Sequence, residues 1–224
     1  MPNLLRVAVL ASGVGSNFAA LLDASRDDRL AIALVGVFSD RPQAPVLSRA
    51  SAADIYAKAF SPRDFVDRET HERALFAAVD AVQPDLIVCA GYMRIFGSTA
   101  LLGRSQKMLN IHPSLLPKHR GLNTHLRAID AGDTQHGTSV HFVTDELDGG
   151  PVIAQAQVDV RDDDTAEILA ARVRQREHPL LCATVGLFAQ RRLALRDGVA
   201  ELDGKPMHAP LLLNADGQLM DLSQ

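Results

Sequence analysis

An open, mostly parallel α/β sheet with helices on both faces is the fold this sequence predicts, and three observations predict it. Apolar runs of strand length alternate along the chain with stretches of helical spacing. The chain has 224 residues, 47% of them apolar, which fits one large α/β domain or one with a small extension. Aromatics are scarce at 4%, with no Trp. Ala, Val and Leu must therefore carry the packing, and such residues suit parallel strands covered by helices.

The elements follow in order. Leu4–Ala11 is rich in Val and Leu and stops at Ser12–Gly13, as a first strand does and a signal peptide does not. Asn17 to about Ser25 has helical spacing. Ala31–Phe38 is a second apolar run, and SDRPQAP behind it is a turn. Val46–Ala52 and residues 64–82 read as helices. Asp85–Ala90 and Lys107–Ile111 read as strands, Leu122–Ala131 as a helix, Thr138–Val143 and Val152–Val160 as strands, and Thr165–Gln190 as a long helix. This alternation implies a parallel sheet with right-handed crossovers. The end differs. RRLALRDGVAELDGKPM alternates and holds Asp-Gly twice, which predicts a hairpin with tight turns. LLLNADGQLMDLSQ reads as a loose tail or one more short strand. We expect one domain over 1–205 and a tail at 206–224.

Charge and cysteine usage narrow the function classes. The formal net charge is -4, and a mildly acidic surface does not seek a polyanion, so no nucleic-acid partner is expected. Cys89 and Cys182 form neither a disulfide framework nor a CxxC motif. Cys89, within DLIVCAG, reads as a small buried hydrophobe. No run reaches membrane-spanning length, and a reducing cytoplasm is the expected location.

The first strand runs into Ser12, Gly13, Val14, Gly15, Ser16 and Asn17. A strand that turns sharply into a helix aims backbone N–H groups at whatever sits there, and these favour a phosphate. Ser16 and Asn17 are placed to cap the helix. The dinucleotide fingerprint would need a third glycine where this chain has Phe18, and no Gly-Lys-Ser/Thr follows. A small anion site and a plain capped turn both remain open.

Asn110 and His112 are two apart, so on a strand they share a side. Pro113 and Pro117 stop the strand just beyond them. A parallel strand ends there, at the edge where open sheets bind ligands. Taken alone, His112 reads equally as a satisfied core histidine. A second cluster, HGTSVHFVTDELDGGPVI, runs from His136 to Ile153. Its Asp145, Glu146 and Asp148 form either an exposed acidic turn or a loop aiming one carboxylate at His112. An aspartate there would raise the ring's pKa and fix its tautomer. His141 is divided between packing and support of the site. There is no H-E-x-x-H, no cysteine pair and no G-x-S-x-G, so no metal and no serine triad is expected. A donor amide, an imidazole and an acid suit attack of an amine on a carbonyl carbon. Asn110 and protonated His112 would donate to the developing oxyanion, a contribution of about 3–4 kcal/mol per good donor.

Four blocks in this order, SGVGSN at Ser12–Asn17, AGYMRI at Ala90–Ile95, NIHPSLLP at Asn110–Pro117 and the His136–Ile153 segment, resemble the phosphoribosylglycinamide formyltransferase family. A weaker fifth is Glu177–His178, and the likeness spans roughly residues 4–205. The resemblance implies formyl transfer from 10-formyltetrahydrofolate, a co-substrate, to the amine of 5-phosphoribosylglycinamide in purine synthesis. It assigns the ribosyl phosphate to Gly15, Ser16 and Asn17, and catalysis to Asn110, His112 and Asp148. It assigns the glycinamide to Glu177. The folate falls to Arg68, Met93, Arg94, Ile95 and Phe96, with Val143 and Thr144 in the loop closing the other side. It implies small-molecule partners only, no membrane, and a monomer or homodimer. His119–Arg120 and Asn123 depart from the family's usual residues, and Pro179 follows Glu177–His178, where a first helical turn would suit it.

Rivals of the same fold are expected to differ in their additions. Methionyl-tRNA formyltransferase adds a basic C-terminal domain, and formyltetrahydrofolate hydrolase a regulatory domain ahead of the catalytic strand. A non-catalytic phosphometabolite-binding module is the alternative of a different class.

Overall fold

A computed structural model describes residues 4–221. The chain divides into two compact units, Met1–Asn110 and Ile111–Gln224. The division expected from the sequence lies elsewhere, at 205. Of the expected tail, residues 222–224 fall outside the described residues.

The first unit alternates strands and helices: β1 (Leu5–Leu10), α1 (Ser16–Arg26), β2 (Ile32–Ser39), α2 (Pro45–Ser51), β3 (Ala57–Ala59), α3 (Arg68–Ala81), β4 (Leu86–Cys89) and α4 (Ser98–Leu101). It ends inside β5 (Met108–His112). Its strand order is β5-β4-β1-β2-β3, every pairing parallel. Val7 to Leu10 and Leu86 to Val88 are wholly buried. Strands covered on both faces belong at the centre of such a sheet, and β1 and β4 are there. Phe18 and Leu21 of α1 are wholly buried too. Helix α3 starts later than its periodicity predicts, because Asp67 and Thr70 close a capping box. The Asp67 carboxylate accepts from Thr70 N at 2.8 Å, and a short 3₁₀ turn at Pro62–Asp64 precedes it.

In the second unit α5 (Thr124–Asp130) leads to β6 (Gln135–Phe142), β7 (Val152–Asp159) and the long α6 (Ala166–Ala189). Here β6 and β7 are antiparallel. The nine residues between them are too few for a crossover, so the second strand must return alongside the first. Register shifts between Val140 and His141, a bulge of the kind that re-aims a side chain. Helix α6 packs on both strands. Three short strands, β8 (Leu193–Arg196), β9 (Val199–Leu202) and β10 (Lys205–Pro206), form the antiparallel hairpin sheet that the two Asp-Gly pairs predict. Asp197, Gly198, Asp203 and Gly204 all have positive φ, as type I′ turns require. The tail is not loose: β11 (Leu211–Leu213) pairs parallel with β7, and β12 (Leu219–Met220) folds back on it.

Pro179 corrects an expectation. It sits inside α6 rather than in a first turn. Burial of Leu180, Leu181, Thr184 and Val185 beyond it holds the helix together, even though proline removes the N–H that would have bonded the Gln175 carbonyl. No helix among the described residues is long and apolar enough to cross a membrane.

Candidate active site

In the first unit parallel strands send their following loops to one edge. Ser12, just after β1, ties three of them together. Its N–H donates to Gly91 O at 3.1 Å, its Oγ donates to the Asp40 carboxylate, and Met93 N–H donates to that Oγ at 2.9 Å. Gly15 is the N-cap of α1, with φ 77°. A Cβ there would lie 2.4 Å from Val46 Cγ2, so only glycine fits. Neither Ser16 nor Asn17 caps the helix, contrary to expectation, because the cap position is Gly15 itself and no side-chain cap bond is made. Phe18, standing where a dinucleotide fold has its third glycine, is wholly buried.

After β4 the chain carries the other residues predicted for this unit. Met93 and Ile95 are more than half exposed, and Arg94 is exposed. Phe96 turns inward and stacks on Tyr92, centroids 5.3 Å apart and planes 8° from parallel. Arg68 Nε donates to Glu72 at 2.7 Å, and the buried Glu72 also accepts from Gly97 N–H. Glu72 thus joins the start of α3 to this loop. The sequence offered no signal for it beyond an i,i+4 charge pair. Cys89 is buried, and burial pushes its thiol up, which suits a packing role.

Asn110 and His112 both lie on β5, and alternation along one strand sends their side chains off the same face. In the second unit His112 meets the acidic turn. Its Nδ1 is 3.3 Å from Asp148 Oδ2, and its Nε2 is 3.0 Å from the His119 carbonyl oxygen. His141 Nε2 lies 3.6 Å from Asp148 Oδ1, with its Nδ1 at 2.8 Å from the Phe142 carbonyl. Asp148 Oδ2 also accepts from Gly121 N–H at 2.9 Å. The structure therefore brings together His112, His141 and Asp148, all nearly buried. Asp145 and Glu146 stay exposed, and Glu146 pairs with Arg120. Val143 and Thr144 are half-buried at the start of the loop. Glu177 lies on α6, two residues before Pro179.

Electrostatics correct one expectation. Burial pushes the His112 ring below its ordinary pKa, and the His119 carbonyl and the Asp148 carboxylate restore only part of the loss. The ring is thus neutral at rest rather than held cationic. Burial works to raise Asp148, yet hydrogen bonds from the His141 ring and the Gly121 N–H keep it below the usual carboxylate range. A neutral imidazole has one N–H for two facing acceptors. Taking up a proton would satisfy both.

The segment behind His112 is pinned by groups that pattern reading did not single out. Thr138 Oγ1 donates to His112 O at 3.0 Å. Ser139 Oγ donates to Ser114 O at 2.7 Å and accepts from Leu116 N–H at 3.0 Å. Gln155 Nε2 donates to Leu116 O at 2.9 Å. Hydroxyls and an amide on apolar strands were the available signal, since buried polar groups demand partners. Among the described residues no group of three or more His, Cys, Asp or Glu is arranged to hold a metal.

Proteins that share this sequence pattern and fold are group-transfer enzymes. The family described as Formyl transferase matches residues 5–185. Phosphoribosylglycinamide formyltransferase from Escherichia coli (strain K12) is 43% identical over 201 residues, 90% of this chain and 95% of that one. The solved structure of phosphoribosylglycinamide formyltransferase from Coxiella burnetii superposes with a TM-score of 0.88 at 43% identity, covering 92% of this chain and 96% of that one. A formyltetrahydrofolate deformylase structure from Pseudomonas syringae pv. tomato is 27% identical with a TM-score of 0.82, and covers 89% of this chain but 66% of its own. The chain belongs to the phosphoribosylglycinamide formyltransferase family of formyl transferases.

Proposed function

We propose that the protein transfers the formyl group of 10-formyltetrahydrofolate to the amine of 5-phosphoribosylglycinamide, as a cytoplasmic enzyme of purine biosynthesis acting on small molecules, as a monomer or homodimer. The observation that carries the reading is a neutral, buried His112 flanked by Asp148 on the strand that also bears Asn110.

The acceptor amine attacks the formyl carbon, and the carbonyl oxygen gains a negative charge. The Asn110 amide donates to that oxygen. As the new C–N bond forms, the amine nitrogen becomes acidic and its proton passes to the His112–Asp148 pair. Collapse of the tetrahedral intermediate breaks the bond to the folate nitrogen, which takes the proton. The acceptor supplies its own nucleophile, so the chain needs a proton carrier and an oxyanion donor but no activated side chain. His141 steadies the second carboxylate oxygen of Asp148. Gly15, Ser16 and Asn17 take the acceptor's phosphate through main-chain N–H groups at the start of α1. Glu177 holds the glycinamide. Arg68 and the Met93–Phe96 loop take the folate, with Val143 and Thr144 on the far side. Phe96 is buried in its stack, so that loop reads the ring through exposed main chain and through Met93 and Ile95.

The test supplies the formyl folate with and without phosphoribosylglycinamide. Loss of the formyl group only when the acceptor is present, with formylated acceptor as product, is the expected result. Release of formate without acceptor would make the protein a hydrolase. Tight binding with no turnover in either arm would make it a binding module.

A further inference from the structure

We propose that the His119 imidazole, gripped by Asp133, is a positioning group for His112: it fixes the main-chain carbonyl that faces Nε2 and so sets which ring nitrogen carries the resting hydrogen. The proposal rests on the reading of His112 as the proton-carrying ring.

A carbonyl oxygen can only accept, so the contact at 3.0 Å requires a hydrogen on Nε2. The position of that oxygen is then part of the site. It belongs to a residue with φ 53°, the left-handed region that non-glycine residues rarely hold without support. The support is visible. Asp133 Oδ2 accepts from His119 Nε2 at 2.7 Å, and Asp133 Oδ1 accepts from Lys118 Nζ at 2.7 Å. Asp133 is itself tied to the end of α5, where its N–H donates to Ala128 O at 3.0 Å. One residue back, the Lys118 carbonyl accepts from Ser114 Oγ at 2.7 Å. The two grips on Asp133 differ in kind. The side chains of His119 and Asp133 are each 12% exposed, whereas that of Lys118 is 63% exposed. A solvated ammonium exchanges its partner for water at little cost, so the buried imidazole does the holding.

The groups facing His119 are few. Asp133 and Lys118 adjoin it, and the His136 ring lies edge-on at 6.0 Å between centroids. His136 bonds in turn to His125, with Nε2 and Nδ1 3.1 Å apart. Burial, with the nearby imidazoles His125 and His119, drives His136 down to about 4, so it adds no charge near neutrality. The His119 carbonyl works to raise the pKa of His112. Releasing it lowers that pKa further.

The experiment follows the His112 ring by NMR as pH is varied, in the ligand-free protein, where eight histidines make assignment tractable. His119→Leu is expected to move the His112 titration down by roughly half a unit or more, and to lower kcat/KM roughly tenfold or more. His119→Gln, whose amide nitrogen reaches about as far as Nε2, restores the parent titration. Lys118→Met leaves it where it was. An unmoved His112 in a folded His119→Leu variant overturns the proposal, as does a Lys118→Met variant that moves the ring as far. The NMR readout needs no turnover. A protein that transfers no formyl group therefore fails the proposed function while still deciding this inference.

Discussion

Gly15 and Asp148 both hold left-handed backbone, at φ 77° and 46°, yet for opposite reasons. At Gly15 the proposed binding surface is the main chain, and a side chain is excluded because Val46 fills its space. At Asp148 the proposed working part is the side chain. A non-glycine residue accepts a conformation that costs about 1–3 kcal/mol so that its carboxylate reaches two imidazoles. A site made of N–H groups reads charge and shape, and is indifferent to nearby side-chain chemistry. A site made of buried ionisable groups depends on which atom sits where. The first should fail by steric damage, the second by loss of chemistry in an intact fold.

Four measurements break or sharpen that contrast. His112→Ala should lower kcat/KM by roughly 10²- to 10⁴-fold with an unchanged circular dichroism spectrum. A near-normal rate would remove the ring from the mechanism. Asp148→Asn keeps the shape and removes the charge, and should cost roughly 10- to 100-fold. The carboxylate pulls the His112 pKa upward, so without it the ring titrates lower and the acid limb of kcat/KM moves to lower pH. A profile that keeps its limb would mean that the charge is not sensed at the ring. Gly15→Ala should fail in the other way, losing about 1–3 kcal/mol in urea unfolding and raising KM for the phosphate-bearing acceptor more than it lowers kcat.

The smallest effect concerns stability against pH. His136 is held near 4 in the fold against an ordinary 6.5. As pH falls through 6.5 the unfolded chain takes its proton first, so stability present above that value drains between about 6.5 and 4. His112 and His125, also held low by burial, act in the same direction. Urea unfolding at pH 7 and pH 5 should show the loss. His136→Gln, which keeps a partner for His125 but cannot titrate, should lessen it, leaving the part due to His112 and His125.

Much of this architecture was legible because apolar runs mark strands whatever surrounds them. β1, β2, β4 and β5 fall within a residue or two of the patterns that predict them. Strand direction was less legible. Periodicity does not say which way a strand runs, and only the shortness of the loop from Val143 to Pro151 carried the antiparallel turn of β6 and β7. β3 escaped notice because three residues at a sheet edge, AKA, have no pattern to show. Pro179 misled because local preference yields to the packing of the residues beyond it. In the candidate site, Asn110, His112, His141 and Asp148 stood out as polar groups beside apolar strands. The resting charge of His112 did not, since burial is a property of the fold. Glu72, Asp133, Ser139 and Gln155 work through contacts far along the chain, so a polar residue on an apolar strand or an i,i+4 charge pair marked some of them without naming their partners.

Gly150 gives the turn at the end of β6 a spacer one atom wide. A Cβ there would lie 1.9 Å from the Phe142 carbonyl oxygen, so even a methyl group would wedge the returning strand away and drag the acid off its ring. The reach of that acid is metered by a gap between two main chains, not by any side chain. A turn whose fit is set by main-chain clearance transmits a single added methyl group straight to the carboxylate two residues away.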